Sequence, residues 1–331
     1  MDAKITKKRL AQMLSYDWVK IVAFVVCAIL LWTLIFQMTA TRIKPSQQFR
    51  VYNHYANESL GDEFYNVYKK LAKDGALSYE VIEMNVTDLT RSEGEHISVL
   101  DGAMRTDDGD VIFVPNVGDK SYKTETDGVV SYKYTYVETF VGRYFPYLYN
   151  LDENDENGYF NKLRKYLNEF YLNGYKDETS FDEEKVKTEF RKRVKKNGDK
   201  RFKKAEEIER GAQLEVDRIQ KYRAALIEFE EYVQSGVVTF TEITLENNGQ
   251  VYASGTLGLN ICPDVSKTGE LKKQVSYLDE NEVSTAKDMN VFFFNFDGVE
   301  DSFEFESLIY VNQVIQKALE ETAAKNASSA Q

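Results

Sequence analysis

Two cysteines, two histidines and two tryptophans in 331 residues remove several chemistries at once. Cys27 falls inside a long apolar run and Cys262 lies far beyond it, so no disulfide can form within the part of the chain after that run. A secreted eukaryotic domain of this size would more often carry several bridges. A bacterial envelope protein is the easier expectation, and the sequons Asn57-Glu58-Ser59 and Asn85-Val86-Thr87 are then chance matches. His54 and His96 have no cysteine beside them, so the common zinc sites are not expected, nor is any cofactor. Both tryptophans, Trp18 and Trp32, sit in or beside the apolar run, which leaves any sugar platform to Tyr or Phe. The chain also lacks a G-x-S-x-G elbow, a P-loop and a Rossmann fingerprint. With 54 carboxylates, no catalytic pair can be picked by spacing, and a non-enzymatic role is the expectation. A net charge of −12 and a pI near 5.0 lack the cationic surface that phosphate neutralisation needs, so a nucleic-acid partner is not expected.

What the chain does have is one stretch that reads as a membrane span. Ile21 to Phe36 carries no charge, no Gly and no Pro, and is closed by Gln37 and Met38. As a helix, residues 21–38 cover about 27 Å at about 1.5 Å per residue, close to one bilayer core. Backbone groups in hydrocarbon must be satisfied within their own segment, which a helix does. Trp18 and Trp32 suit the two headgroup regions. Lys4, Lys7, Lys8, Arg9 and Lys20 precede the span, whereas Arg42, Lys44 and Arg50 follow it closely, which favours a cytoplasmic N-terminus. A cleaved signal peptide is the rival reading. The apolar run exceeds the usual length of about 7–15 residues and Met38-Thr39-Ala40 is a poor small-x-small site, so a retained signal-anchor is expected. The resulting layout is a cytoplasmic tail (1–20), a transmembrane helix (21–38), a linker (39–47), an extracellular α/β domain (48–320) and a disordered polar tail (321–331).

Beyond the linker, alternation and turn residues predict a strand near Phe49–His54, a helix from about Ser59 to Asp74-Gly75 and a strand over Leu77–Met84. Part of Val86–Met104 reads as helix and Asp110–Val114 as a buried strand; this strand-helix order is that of a parallel α/β sheet. Ser131–Phe140 alternates like a half-exposed strand. A helical block follows over 159–235, with helices at Tyr159–Leu172, Asp182–Lys196 and Ala205–Gln234; in the last, Ile208, Ala212, Val216, Ile219, Tyr222, Leu226, Phe229 and Val233 keep one apolar stripe. Asn247-Asn248-Gly249 between two β-rich runs, Val237–Leu245 and Gln250–Leu259, signals a hairpin. Met289–Phe296 reads as a buried strand and Phe303–Leu319 as an amphipathic helix.

Three charged stretches stand out. In DENDENGYF, Gly158 as the sixth position of a calcium loop puts Arg164 at the twelfth, where a bidentate Glu is required, so an acidic turn is the better reading. Asp107-Asp108-Gly109-Asp110 reads as a polar turn into a strand. Lys185–Lys204 holds eleven cations against Glu189 and Asp199. Most of that run is a solvated helix face. The sharper alternative makes Arg191, Lys192, Arg193, Lys195 and Lys196 a patch for an anionic partner: the acidic remainder of this protein, lipid headgroups or wall polymers.

FRVYNHYANES with its following helix, GDVIFVPN, and NNGQVYASGTLGL together resemble the opening strand, third strand and hinge segment of extracellular solute-binding proteins of bacterial ABC importers. The nearer type is the membrane-anchored ectodomain of that kind. Ser254-Gly255 stands where the family has Pro. The resemblance implies a two-lobed α/β ectodomain carrying the helical block as an insert, and a small ligand presented to a permease. Ligands in open α/β sheets sit beyond the carboxyl ends of the strands, which points to Asn53, Tyr55, Asn57, Asn116 and Tyr252. The alternative expectation is a structural or assembly component of a cell-envelope complex, its partners the bilayer and another envelope protein.

Overall fold

The computed structural model describes residues 7–39, 47–53, 77–89, 95–116, 123–126, 129–132, 135–197, 201–247, 249–273, 275, 286–296 and 305–329. The helix expected from Ser59, the linker, His54, Tyr55 and Asn57 lie outside them. The chain divides into two units, Met1–Lys44 and Pro45–Gln331.

The first unit is helix α1, Lys7–Thr39. Its stretch Trp18–Phe36, 19 residues of mean hydropathy 2.7, is long and apolar enough to cross a membrane, and none of it is buried by protein. Exposed Phe24, Leu30, Leu31 and Trp32 on one helix are stable in lipid and costly in water. The helix runs well ahead of the apolar segment, taking in part of the expected tail.

The second unit is built on one mixed sheet of six strands in the order β2-β1-β3-β8-β7-β6. These are β1 (Gln48–Asn53), β2 (Glu83–Asp88), β3 (Val111–Pro115), β6 (Thr239–Asn247), β7 (Gln250–Asn260) and β8 (Met289–Phe293). β1 pairs in parallel with β2 and β3, while β3–β8, β8–β7 and β7–β6 are antiparallel. β4 (Lys123–Thr126) and β5 (Val129–Tyr132) form a separate hairpin.

The period of two along each strand sorts side chains to two cores. Phe49, Val51, Val111, Phe113, Val291 and Phe293 face one layer, made by α4 (Tyr159–Asn168), α6 (Ala205–Gln234) and α8 (Glu306–Ser329), the last preceded in the chain by the short α7 (Val265–Thr268). Tyr52, Ile112, Val114, Phe292 and Phe294 face the other, with α2 (Glu95–Arg105) and α3 (Tyr136–Tyr144). Tyr310 of α8 meets Phe49 and Phe113 with ring centroids 5.5 and 6.3 Å apart, and Phe160 stacks on Phe229 at 4.6 Å. A smaller third cluster joins α5 (Glu183–Asn197) to the start of α6 through Phe190, Val194, Phe202 and Ala212.

Several expectations change. Strands on both sides of the helical block enter the same sheet, so the body described here gathers about one sheet and no second lobe is delimited among the described residues. Leu77–Ile82 is a turn rather than a strand, and pairing begins at Glu83, because Ser78 is drawn into a hydrogen bond with buried Glu306 and Glu80 into ion pairs with Arg193 and Arg201. The alternating tract stops at β5. Thr135 accepts from the backbone N–H of Glu138 while Glu138 accepts from that of Thr135, a capping box that starts α3. The tail expected to be disordered is helical to Ser329. There the Glu270 N–H donates to Thr322 Oγ1 at 3.0 Å and Lys325 Nζ bonds Glu270 at 2.6 Å.

Candidate functional site

Of the five positions expected around a ligand, the three that are described, Asn53, Asn116 and Tyr252, do not converge. Asn53 ends β1 with its side chain fully buried, and its carbonyl accepts from Leu89 N–H at 2.9 Å. Asn116 follows β3, is exposed, and donates its N–H to Asp288 O at 3.1 Å. Both mark the carboxyl ends of neighbouring parallel strands. Asn53 stands opposite Phe113, Phe113 opposite Val291, and Val291 opposite Leu259, which places Leu259 in the same row. Tyr252 lies seven residues earlier on β7, about 20 Å toward the other end at about 3.3 Å per residue. It lies instead against α3, where a methyl group on Gly142 would come 3.2 Å from its hydroxyl. Tyr55 and Asn57 are outside the described residues.

The strongest polar constellation lies at the opposite, amino end of β1 and β2. Glu306, the first residue of α8, is completely buried and accepts from Arg218 Nε at 2.9 Å and from the Ser78 hydroxyl. Arg218, on α6, also approaches Glu215 at 3.7 Å. Glu215 accepts from the Tyr79 hydroxyl at 2.6 Å and from Arg193 at 3.0 Å. Arg193 and Arg201 both reach Glu80. Burial alone would lower the Arg218 pKa, but the charges of Glu306 and Glu215 outweigh it and hold the guanidinium protonated. Burial likewise opposes ionisation of Glu215, yet Arg218 and Arg193 keep its carboxyl below the ordinary value. Tyr79 and Tyr222 are pushed well up, first by burial and then by the adjacent carboxylates, so both stay neutral. Glu80, Glu215, Arg218, Glu270 and Glu306 are all buried and all paired within the chain.

This network was not anticipated from sequence. Its signal was present: Glu215 and Arg218 sit three apart beside Val216 and Ile219, on the apolar stripe of α6.

A second polar group caps the start of β3. Asp110 accepts from the Arg50 backbone N–H at 2.7 Å and Arg50 Nε lies 2.6 Å from Asp108. Burial, reinforced by Glu306 and Asp108, raises the Asp110 carboxyl well above its usual range, and burial raises Asp108 as well. Tyr52, whose hydroxyl donates to Asp108 O, is pushed up to about 12 by burial and by Asp108. Gly109 has φ +149, and a Cβ there would stand 2.9 Å from the Tyr52 ring. The expected polar turn thus also requires glycine.

The acidic loop Asp152–Gly158 is closed on itself. Asn150 Nδ2 donates to Asp155 Oδ2 at 2.9 Å, Asn161 donates to the Glu153 and Asp155 carbonyls, and Arg164 pairs with Glu153. The residue that spoils the calcium pattern therefore neutralises its first position. No group of three or more His, Cys, Asp or Glu able to hold a metal occurs among the described residues. Cys262 is buried, and burial raises its thiol above the ordinary value, which makes it a poor nucleophile.

The basic patch is largely spent at home. Arg191 forms a two-point pair with Glu209, Lys192 pairs with Glu189, and Arg193 joins the buried network. Of the anionic partners considered, the protein's own acidic residues take these three. Lys195 and Lys196 remain exposed at the end of α5. No protein-family model, curated protein or solved structure matches the chain.

Proposed function

We propose that the chain is a single-pass, membrane-anchored structural or assembly component of a bacterial cell envelope, non-enzymatic, with its N-terminus in the cytoplasm and its α/β body outside. The observation that carries this reading is how the buried charge is used: the buried carboxylates and guanidinium tie α5, α6, α8 and the 77–80 turn together. Such groups hold elements in register. The role is then to hold a folded surface at the membrane for another envelope protein.

A second reading, the solute-binding-like protein that presents a small ligand to a permease, is favoured by one placement. Asn53 and Asn116 both stand at carboxyl ends of adjacent parallel strands, the usual ligand side of an open α/β sheet. A thermal-shift screen of the full chain in lipid nanodiscs against sugars, amino acids and oligopeptides separates the two. A ligand at about 100 times its Kd adds about 2.7 kcal/mol, a rise of several degrees in Tm. The structural reading expects no such rise with any of these classes; a saturable rise with one of them overturns it in favour of the second.

A further inference from the structure

Four exposed lysines stand together where α5 turns into α6. The two helices form an antiparallel pair, as Arg191–Glu209 and the Phe190–Phe202 contact at 5.2 Å require. Lys195 and Lys196 occupy the last turn of α5, and Lys203 and Lys204 stand immediately before α6. None of the four ammonium groups has a described ion pair, although Glu207 accepts from the backbone N–H groups of Lys203 and Lys204, and the neighbours Arg191, Lys192, Arg193 and Arg201 all have one. Lys195 and Lys196 complement the negative end of α5. Lys203 and Lys204 do the reverse: they put positive charge against the positive end of α6, which is locally unfavourable. Glu206 and Glu207 in the first turn of α6 offset only part of this.

The position of this cluster in the body gives it a partner. Gln47, where the chain enters the body, accepts from Ile82 N–H at 2.9 Å. Two residues before Ile82, Glu80 is paired with both Arg193 on α5 and Arg201 in the turn before α6, on either side of the lysines. Only residues 40–47 separate the end of α1 from β1. Fully extended, they reach at most about 28 Å at about 3.5 Å per residue. Ile82, 48% exposed, adds an apolar side chain at the same end.

We propose that the closed end of the α5–α6 hairpin rests on the bilayer surface, with Lys195, Lys196, Lys203 and Lys204 contacting anionic phospholipid headgroups. This rests on the membrane-anchored reading above. A basic cluster is drawn to a negatively charged leaflet, and the attraction acts within a Debye length. In a chain of net charge −12 it would fix which side of the body faces the membrane.

The test is lysine acetylation footprinting of the full chain in nanodiscs of phosphatidylcholine alone or with about one third phosphatidylglycerol, the latter giving the negative surface on which the attraction depends. Lys287, exposed on the turn before β8 at the far end of the sheet, is the internal reference. The four lysines are expected to react about threefold or more slowly in the anionic discs, with Lys287 unchanged and the difference lost at high salt. Equal rates in both discs, with the chain still co-eluting with them, overturn the docking and leave the anchor intact. Equal protection by soluble glycerol phosphate over neutral lipid also overturns it, since the site would then be a free-anion pocket. Failure to co-elute with either disc overturns the anchor and the docking together.

Discussion

Glu306 is sealed from bulk solvent, and Arg218 and Ser78 supply its hydrogen bonds from two other elements. Removing the carboxylate leaves Arg218 charged, 4% exposed and short of its main counter-ion. Breaking a buried pair from one side typically costs about 3–5 kcal/mol, well above the loss from an exposed pair. Glu306→Ala is therefore expected to lower the urea midpoint of the full chain sharply, while Glu209→Ala, which unpairs the exposed Arg191, changes it little. Equal, small effects from both would show that the buried network is not what holds α8 to α6. Single residues were the hardest feature to read from sequence. The EF-hand-like loop failed on Arg164, as the spacing indicated, but nothing in the spacing tied Ser78 or Glu80 to charges more than a hundred residues away.

Elements were far more legible where their own periodicity decided them. The apolar stripe of α6 sets its face, and its boundaries match the sequence expectation because Ser235-Gly236 ends it locally. The β6–β7 hairpin follows from Asn-Asn-Gly, with Gly249 at φ +75. Errors arose where a distant partner overrode local pattern. The 77–82 turn follows its ion pairs, and α3 follows a capping box hidden in an alternating tract. The end of α8 is the clearest case, since polar composition suggested a free tail while Thr322 and Lys325 both serve Glu270. Deleting residues 321–331 orphans the buried Glu270 N–H, which alone costs about 1–3 kcal/mol. The truncated full-length chain is expected to melt several degrees lower; an unchanged Tm would mean the tail contributes nothing.

For the whole molecule, the sequence carried the split into an apolar helix and a mixed α/β body, because both rest on composition and period rather than on distant contacts. It did not carry the sheet order. β1 and β3 were legible from their own patterns and β2 was expected several residues early, but their union with β6–β8 in one sheet depends on pairings across the entire helical block. The proposed role needs the body to lie outside the membrane, and the chain is well suited to a direct check. Cys262 is buried and Cys27 lies in the apolar segment, so the native thiols give little background to a water-soluble reagent. Leu172, 73% exposed in a turn after α4, is a site where a new thiol disturbs no core. A membrane-impermeant maleimide applied to intact cells carrying Leu172→Cys is expected to label the chain as fast as it does after lysis. Labelling that appears only once the cells are opened would put the body inside and contradict the proposed role.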